Sequence, residues 1–257
     1  TAESVSEGID LSGKNVLVTG ANTGLGLETT RVLALRGASV TMACRDAAKA
    51  EQARSSLIAD SGGRIGENQL DILILDLNSL SSVRAAAETF LLAVKPLHVL
   101  INNAGIMIPM ERRTADGFEA HLGINHLGHF LLTHLLLDAL IAAQGARVVC
   151  VSSGAMGMAS LTAEFKDLNW QQRKFSGMKS YGDAKLMNYM FARELDRRYG
   201  QQGIVANALH PGVIATELAR DQSLLFMALG IFALPFMKSV ARGAASSVLL
   251  ATSPDYA

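Results

Sequence analysis

The sequence contains 257 residues, of which 23 are Lys or Arg and 23 are Asp or Glu, so the formal net charge is zero. This balance excludes nucleic-acid capture as a main activity, because binding a phosphate backbone needs a clustered basic excess. Apolar residues make up 49% of the chain, and a chain of this length can bury a sizeable core.

Short apolar runs alternate with helix-length segments along the chain. The runs, interpreted as strands, cover residues 15–19, 38–43, 72–75, 99–101, 147–151 and 204–209, and the first two helices cover 25–35 and 47–58. Because the runs are apolar without alternation, they predict parallel strands buried on both faces. The expected fold is α/β, a single Rossmann-type doubly wound parallel sheet with helices on both faces. No linker or repeat interrupts the pattern, so residues 1–257 are expected to form one domain.

A glycine-rich turn, residues 19–26 (TGANTGLG), follows the first strand. Its spacing is G-x-x-x-G-x-G, and it lacks the Lys-Ser/Thr of a P-loop. Glycines allow the backbone to approach a ligand closely, so a pyrophosphate can lie on the helix N-terminus. Such a turn can also exist without a ligand, but its position after the first strand of a doubly wound sheet favours a cofactor. The predicted contacts are Gly20, Asn22, Thr23, Gly24, Leu25 and Gly26.

The end of the second strand carries information on the type of nicotinamide cofactor. An acidic residue there would bind the adenosine ribose hydroxyls, whereas a basic residue favours a 2′-phosphate. The sequence has Cys44 at this point, followed by Arg45 and then by Asp46, which is predicted to cap the next helix. NADP(H) is therefore favoured over NAD(H), and the alternative is an Arg45 that is merely exposed to solvent.

Tyr181 and Lys185 are separated by four positions in a segment whose flanks are typical of a helix. They would then share one helix face. A neighbouring cation favours the phenolate and lowers the Tyr pKa, which predicts a usable acid or base near neutral pH. By itself the pair could equally be two ordinary residues on a helix surface.

Ordered motifs over essentially the whole chain resemble those of the short-chain dehydrogenase/reductase family. Besides the glycine-rich turn and the Tyr181–Lys185 pair, they are Asp76-Leu77 after the third strand, Asn102-Asn103-Ala104-Gly105 after the fourth, Asn125 in a long helix, Val151-Ser152-Ser153 after the fifth, and Pro211-Gly212 with Thr216 after the sixth. Their joint occurrence in this order is not expected by chance.

The resemblance implies a role for each matching residue. Tyr181 would be the catalytic acid/base, and Lys185 would lower its pKa and hold the nicotinamide ribose. Ser153 would hydrogen-bond the substrate oxygen in preference to Ser152, because the family places the catalytic serine second. Asn125 would hold a water that links Lys185 to solvent.

The resemblance also implies further cofactor contacts. Asp76 would contact adenine, Asn103 the adenosine-side ribose, and Thr216 the nicotinamide amide. The remaining implied contacts are Leu77, Ala104, Gly105, Pro211, Gly212 and Val213.

Two stretches, residues 42–46 (MACRD) and 125–130 (NHLGHF), resemble one branch of that family. This branch contains retinol dehydrogenases, the WW-domain-containing oxidoreductase and light-dependent protochlorophyllide oxidoreductase. The 28 positions between Ser153 and Tyr181 exceed the spacing in many relatives, and the extra residues are expected to border the substrate pocket.

A substrate lid is expected over residues 213–238, where the apolar stretch 224–237 follows the Pro-Gly motif. Bulky apolar residues there indicate a lipophilic substrate, such as a retinoid or a steroid. Core packing and peripheral contact with a membrane surface are the alternatives, although the polar face of an interfacial helix is missing.

These observations predict an NADP(H)-dependent oxidoreductase that transfers a hydride between nicotinamide and a carbonyl or alcohol of a lipophilic small molecule. Two alternatives stay open, which are reduction of an activated C=C bond and an NADP(H)-sensing scaffold protein without turnover. The joint presence of Ser153, Tyr181 and Lys185 argues against the scaffold. By resemblance, a homodimer or homotetramer is expected.

The remaining signals concern metals and cell compartment. His121, His126 and His129 lack carboxylate or Cys partners at useful spacing, so helix packing is expected and no metal site is predicted. The two cysteines, Cys44 and Cys150, are expected to be buried and reduced, which favours a reducing compartment, cytoplasmic or organellar. No apolar span of 18 residues is present. The sequence starts at Thr1, which leaves open a targeting segment outside it.

Overall fold

A computed structural model describes residues 1–161, 165–214 and 238–256, and within them six parallel strands form one sheet. The strands are β1 (Asn15–Thr19), β2 (Ser39–Cys44), β3 (Leu70–Ile74), β4 (Val99–Asn102), β5 (Ala146–Val151) and β6 (Ile204–Leu209). Their order is β3-β2-β1-β4-β5-β6, which confirms the predicted doubly wound fold. Thr216 and the predicted lid stretch 224–237 lie outside the described residues.

The described helices lie on both faces of the sheet. They are α1 (Gly24–Leu35), α2 (Ala47–Asp60), α3 (Leu80–Leu91), α4 (Gly128–Leu135), α5 (Leu137–Ala142), α6 (Gly177–Tyr199), α7 (Val240–Gly243) and α8 (Ala245–Thr252), and a π-helical segment, His121–Leu127, leads directly into α4. None of the helices in the described ranges is both long enough and apolar enough to span a bilayer.

Two hydrophobic clusters, one on each face, hold the layers together. In β1, Val16 and Val18 face the cluster that contains α1, α2 and α8, whereas Leu17 faces the cluster that contains α3 to α6. Successive strand residues point to opposite faces, so a run in which every residue is apolar serves both clusters. This explains why the strands have no polar alternation.

The third strand begins two residues earlier than predicted. Leu70 pairs with Val40, and the strand continues to Ile74. The predicted run began at Ile72 and so left out Asp71, which is exposed to solvent because β3 lies at the sheet edge. An edge strand tolerates such a residue.

The carboxyl ends of β1 and β4 lie side by side at the point where the strand order reverses. In open α/β sheets ligands bind in the crevice outside these strand ends. The fold therefore directs attention to the loops that follow β1, β2, β4, β5 and β6.

Candidate active site

A cavity of about 1250 Å³ runs along the carboxyl ends of the strands. It is larger than the roughly 300–1,000 Å³ of most small-molecule sites, so it has room for a large ligand. Its lining includes these predicted residues: Gly20, Asn22, Thr23, Gly24, Leu25, Gly26, Arg45, Asp76, Leu77, Asn103, Ala104, Gly105, Ser153, Tyr181, Lys185, Pro211, Gly212 and Val213. The structure thus brings the predicted site together, apart from Asn125 and the undescribed Thr216.

The glycine-rich turn has a backbone that fits a phosphate ligand. Gly20 and Gly24 adopt φ of 66° and 54°, which residues with a Cβ rarely do. A Cβ on Gly26 would lie only 2.2 Å from the Gly20 carbonyl oxygen. The turn ends at the N-terminus of α1 (Gly24–Leu35), where the backbone N–H groups of a first helical turn point towards a ligand. The turn therefore has the close-packed glycine backbone that a pyrophosphate site needs.

A hydrogen-bond network ties the ends of β1 and β4 together beneath the turn. The Thr19 hydroxyl accepts from the backbone N–H groups of Asn103 and Ala104, each at 2.9 Å, and lies 2.8 Å from Nε2 of His129. The Asn103 side-chain amide donates to the Thr19 carbonyl at 2.8 Å. Asn103 thus supports the glycine-rich turn from within the protein, and its predicted contact with a ribose stays a prediction.

The end of β2 presents cationic side chains to the cavity. Arg45 is exposed and lines it, as does Lys49 one turn into α2. Asp46 accepts a hydrogen bond from the Lys49 backbone amide at 3.1 Å, so it caps α2 as predicted. Lys49 was not predicted to line the site. Its position one turn after the capping residue Asp46 could have indicated a second cation near Arg45. Burial raises the pKa of the neighbouring Cys44 thiol to about 11, so it remains protonated.

Tyr181 and Ser153 form the polar centre of the cavity. Tyr181 is buried on α6, and Ser153, the second residue after the end of β5, lines the same cavity. Burial raises the pKa of Tyr181, and its hydrogen bond with Ser153 acts in the opposite direction without cancelling that rise. The prediction of a lowered Tyr181 pKa is therefore wrong for the protein alone, because the loss of solvent outweighs the favourable contacts.

Lys185 lies one helical turn from Tyr181, as the spacing predicts. Its ammonium group is 5.6 Å from the centre of the Tyr181 ring and donates to the Val151 carbonyl at 2.9 Å. Burial lowers the Lys185 pKa to about 8. The ammonium form therefore predominates at pH 7.

The two adjacent serines have different partners. The Ser152 hydroxyl is buried and donates to the Lys185 carbonyl at 2.6 Å, so it is committed to the fold. The Ser153 hydroxyl accepts from the Ala155 amide at 3.1 Å and is partly exposed to the cavity. This arrangement supports the preference for Ser153 as the substrate-facing serine.

Asn125 lies in the π-helical segment rather than in a regular α-helix, and Ile124 rather than Asn125 forms the cavity wall. The Asn125 side chain accepts from the Ile106 amide at 2.8 Å and donates to the Ile106 carbonyl at 2.9 Å. Its backbone carbonyl accepts from the Asn188 side chain at 3.1 Å. Asn125 thus fixes the loop after β4, and its water-binding role stays a prediction.

Several apolar side chains that were not predicted line the cavity near Tyr181. They are Ile106, Met107, Met158 and Met178. Methionines adapt to irregular apolar ligands, so this end suits a lipophilic group. No spacing rule identifies these residues, since they come from three separate segments of the chain.

The long segment between Ser153 and Tyr181 is attached to α6. The Arg173 guanidinium donates to the buried Asp183 carboxylate at 3.0 Å and stacks 3.7 Å from the centre of the Trp170 ring. Asp183 also accepts from the Ser160 hydroxyl at 3.3 Å. The extra residues of this segment therefore have a defined attachment beside the site.

The three histidines considered for metal binding make hydrogen bonds inside the fold. His126 lies 3.0 Å from Asn188, and His121 and His129 contact Ser180 and Thr19, respectively. Among the described residues, no group of three or more His, Cys, Asp or Glu side chains is arranged to hold a metal.

Comparison with known proteins identifies relatives over nearly the whole chain. The family model for short chain dehydrogenases matches residues 14–164. The chain is 46% identical to retinol dehydrogenase 12 of Mus musculus over 247 residues, which cover 96% of this chain and 76% of that protein. It is 42% identical to the WW domain-containing oxidoreductase of Danio rerio over 257 residues, which cover 98% of this chain and 61% of that protein.

Solved structures share the fold. A crystal structure of an uncharacterized protein from Mycobacterium paratuberculosis has a TM-score of 0.76 and 38% identity, and the match covers 97% of this chain and 80% of that one. The NADP complex of Pseudomonas aeruginosa RhlG has a TM-score of 0.74 at 22% identity, covering 96% and 92%, and this likeness concerns the fold alone.

Proposed function

Because the chain belongs to the short-chain dehydrogenase/reductase family, in its retinol dehydrogenase branch, we propose that it is an NADP(H)-dependent oxidoreductase acting on a lipophilic carbonyl or alcohol with Tyr181 as the acid/base. The observation that carries this proposal is the convergence of Ser153, Tyr181 and Lys185 in the cavity that also contains the glycine-rich turn. A nicotinamide cofactor, when bound, supplies or accepts the hydride.

In carbonyl reduction, Tyr181 is the proton donor. Its raised pKa keeps the phenol protonated at neutral pH, which is the form that can donate to a carbonyl oxygen. The Ser153 hydroxyl has one proton, which can turn from the Tyr181 oxygen to the same carbonyl oxygen. In alcohol oxidation Tyr181 must act as a phenolate, and this direction requires a higher pH.

Lys185 supplies positive charge close to the Tyr181 ring. It has no carboxylate partner among the described residues, and the Val151 carbonyl orients its ammonium group. A cation at this point stabilises the phenolate that remains after proton transfer. We also assign to Lys185 the role of holding the ribose beside the nicotinamide, since it lines the same cavity as the glycine-rich turn.

Replacing Tyr181 with Phe tests the acid/base role directly. We expect NADPH-dependent turnover to fall by about 100-fold or more, because general acid catalysis is typically worth 10²–10⁴-fold. The Kd for NADPH, measured by fluorescence titration, should stay within about threefold, since the lost hydroxyl is the only change. A variant that retains wild-type turnover would show that another group supplies the proton.

We assign the cofactor preference to Arg45, supported by Lys49. Both cations line the cavity at the end of β2, where a 2′-phosphate would be recognised. Arg45→Ala should weaken NADP⁺ by about 10-fold, corresponding to one charge-assisted hydrogen bond, and leave NAD⁺ nearly unchanged. Calorimetric titration with both cofactors measures the ratio, and equal weakening of both would remove Arg45 from this role.

The substrate class follows from the apolar wall formed by Ile106, Met107, Met158 and Met178. Retinol dehydrogenases among the relatives make a retinoid the first candidate. NADPH oxidation should be fastest with retinoid, steroid or similar carbonyls in a panel that also contains small aliphatic aldehydes and an enone. A product with a reduced C=C bond would favour the alternative chemistry, and a preference for small polar aldehydes would contradict the lipophilic assignment.

We also propose that two copies associate through the outer surfaces of α4 and α6. Phe130, Tyr189 and Met190 are exposed there and line a second cavity of about 950 Å³. Exposed apolar patches of this kind are typical of interfaces. Phe130→Lys should convert the oligomer to a monomer in size-exclusion chromatography with light scattering, and a wild-type monomer would contradict the proposal.

A further inference from the structure

A buried acid–imidazole pair lies directly behind the Tyr181 ring. The rings of His121 and Tyr181 meet edge to face, with centres 5.7 Å apart and an interplanar angle of 73°. Nδ1 of His121 lies 3.1 Å from the Glu119 carboxylate, and both side chains are fully buried. Neither was among the residues predicted to form the site.

Hydrogen bonds at both ring nitrogens fix the orientation of His121. Nε2 accepts from the Ile108 amide at 3.0 Å. A backbone N–H can only donate, so Nε2 carries no proton and the neutral ring has its proton on Nδ1. This proton faces Glu119 and the Ser180 hydroxyl, the latter at 3.0 Å from Nδ1. The ring therefore cannot flip without losing these bonds.

Glu119 is fixed in its turn by the start of the π-helical segment. Its two carboxylate oxygens accept from the backbone amides of His121 and Leu122, at 3.0 and 2.9 Å. Burial alone would raise the pKa of Glu119, but the hydrogen bonds from His121 and Leu122 bring it below its usual value. The carboxylate is therefore an ionised acceptor for His121 Nδ1–H.

His121 joins three parts of the chain around Tyr181. Ile108 belongs to the loop after β4, His121 opens the segment that leads into α4, and Ser180 immediately precedes Tyr181 on α6. The first turn of α6 lies tightly on this loop, because a Cβ on Gly177 would come within 2.5 Å of the Ile108 carbonyl oxygen. The position of the Tyr181 ring thus depends on His121.

We propose that Glu119 and His121 are positioning residues for Tyr181, acting through the ring contact and through Ser180. This inference rests on the proposed acid/base role of Tyr181. Neither residue needs to exchange a proton with substrate, since His121 contacts the phenol ring and its nitrogens are engaged elsewhere. Their effect should appear in the chemical step rather than in ligand binding.

The test compares two substitutions at His121 with a matched control. His121→Leu removes the ring and its hydrogen bonds, whereas His121→Phe removes the hydrogen bonds and keeps an aromatic ring against Tyr181. His126→Leu is the control, because His126 is also mostly buried in the same segment and hydrogen-bonds to Asn188, but packs against Phe130 and Phe191. The assay follows NADPH oxidation with all-trans-retinal by each purified protein.

We expect His121→Leu to lower kcat by about 30-fold or more, since misplacing a reacting group by 1 Å can cost about 100-fold. His121→Phe should retain several-fold more activity than His121→Leu, and His126→Leu should stay within about threefold of wild type. The retinal KM and the NADPH Kd should hardly change in any of them. Equal losses of kcat in His121→Leu and His126→Leu, a wild-type kcat in His121→Leu, or a loss confined to the NADPH Kd would overturn the positioning role.

A milder variant covers the case in which His121→Leu does not fold. Ser180→Ala removes one partner of His121 and leaves its ring, and we expect about a 3- to 10-fold loss of kcat at unchanged NADPH Kd, in line with one hydrogen bond. A wild-type kcat there overturns the proposal. If Tyr181→Phe is inactive and His121→Leu is fully active, only the positioning role is rejected. If Tyr181→Phe is active, the acid/base role of Tyr181 is rejected as well.

Discussion

Replacing Gly26 with Ala is the sharpest test of the phosphate turn. The new Cβ would lie 2.2 Å from the Gly20 carbonyl oxygen and 2.6 Å from Nδ2 of Asn103. Ordinary carbon contacts need about 3.5 Å, so α1 or the turn must move by about 1 Å. Overpacking of this kind costs about 1–3 kcal/mol, and loss of the Asn103–Thr19 hydrogen bond adds about 1 kcal/mol.

The Gly26→Ala substitution should change both the thermal stability of the protein and its affinity for NADPH. A loss of about 2–4 kcal/mol should lower the Tm by about 4–16 °C for a domain of this size. The displaced turn should also bind NADPH at least about 10-fold more weakly, as measured by fluorescence titration, because its amides no longer face the phosphates together. Gly200→Ala is the control, since a Cβ there meets nothing within 4 Å. A Gly26→Ala protein with wild-type Tm and wild-type NADPH affinity would refute the close-packing argument.

Two further predictions concern buried charges. Burial lowers the pKa of His129 to about 4 from 6.5. As the pH falls, His129 is therefore protonated in the unfolded chain before it is protonated in the folded protein. The free energy of unfolding should fall by about 3 kcal/mol between pH 6.5 and pH 4. Urea unfolding at a series of pH values should show that the free energy of unfolding falls less steeply with pH in His129→Asn than in the wild type. The same pH dependence in both proteins would exclude His129 as the source. Arg173→Ala leaves the Asp183 carboxylate buried without its 3.0 Å partner. This should lower the free energy of unfolding by about 2 kcal/mol. The loss is smaller than for a fully buried pair because the Arg173 side chain is 28% exposed. Arg197→Ala, which removes an exposed pair with Glu194, should leave urea unfolding nearly unchanged, and equal losses in both variants would contradict the contrast.

The fold was predictable because its determinants are local. Each strand is a mostly apolar run without regular polar alternation, and each face of the sheet uses alternate residues of that run. The glycine-rich turn was equally visible, since its positive φ angles require glycine at fixed positions. The edge strand β3 was placed less accurately, because Asp71 is tolerated only where one side of the strand meets solvent.

The supports of the site were not predictable, because they join residues far apart in sequence. His121 meets Ser180, which lies 59 positions later in the chain, and Arg173 meets Asp183 across a stretch of irregular backbone. Local spacing carries no signal for such pairs. The pattern around His121 predicts only helix packing, whereas in the structure its ring lies against Tyr181.

The Tyr181–Lys185 pair shows why spacing predicts proximity better than it predicts charge. Four residues of helix place the ammonium beside the phenol, and that part is confirmed. The same helix face is buried, and burial penalises the charged form of each group. It raises the pKa of Tyr181 and lowers that of Lys185 to about 8, so both groups move towards neutrality. A neutral phenol beside a predominantly cationic lysine at pH 7 is suited to donating a proton. Under the proposed acid/base role of Tyr181, this predicts carbonyl reduction at neutral pH and alcohol oxidation as the pH rises.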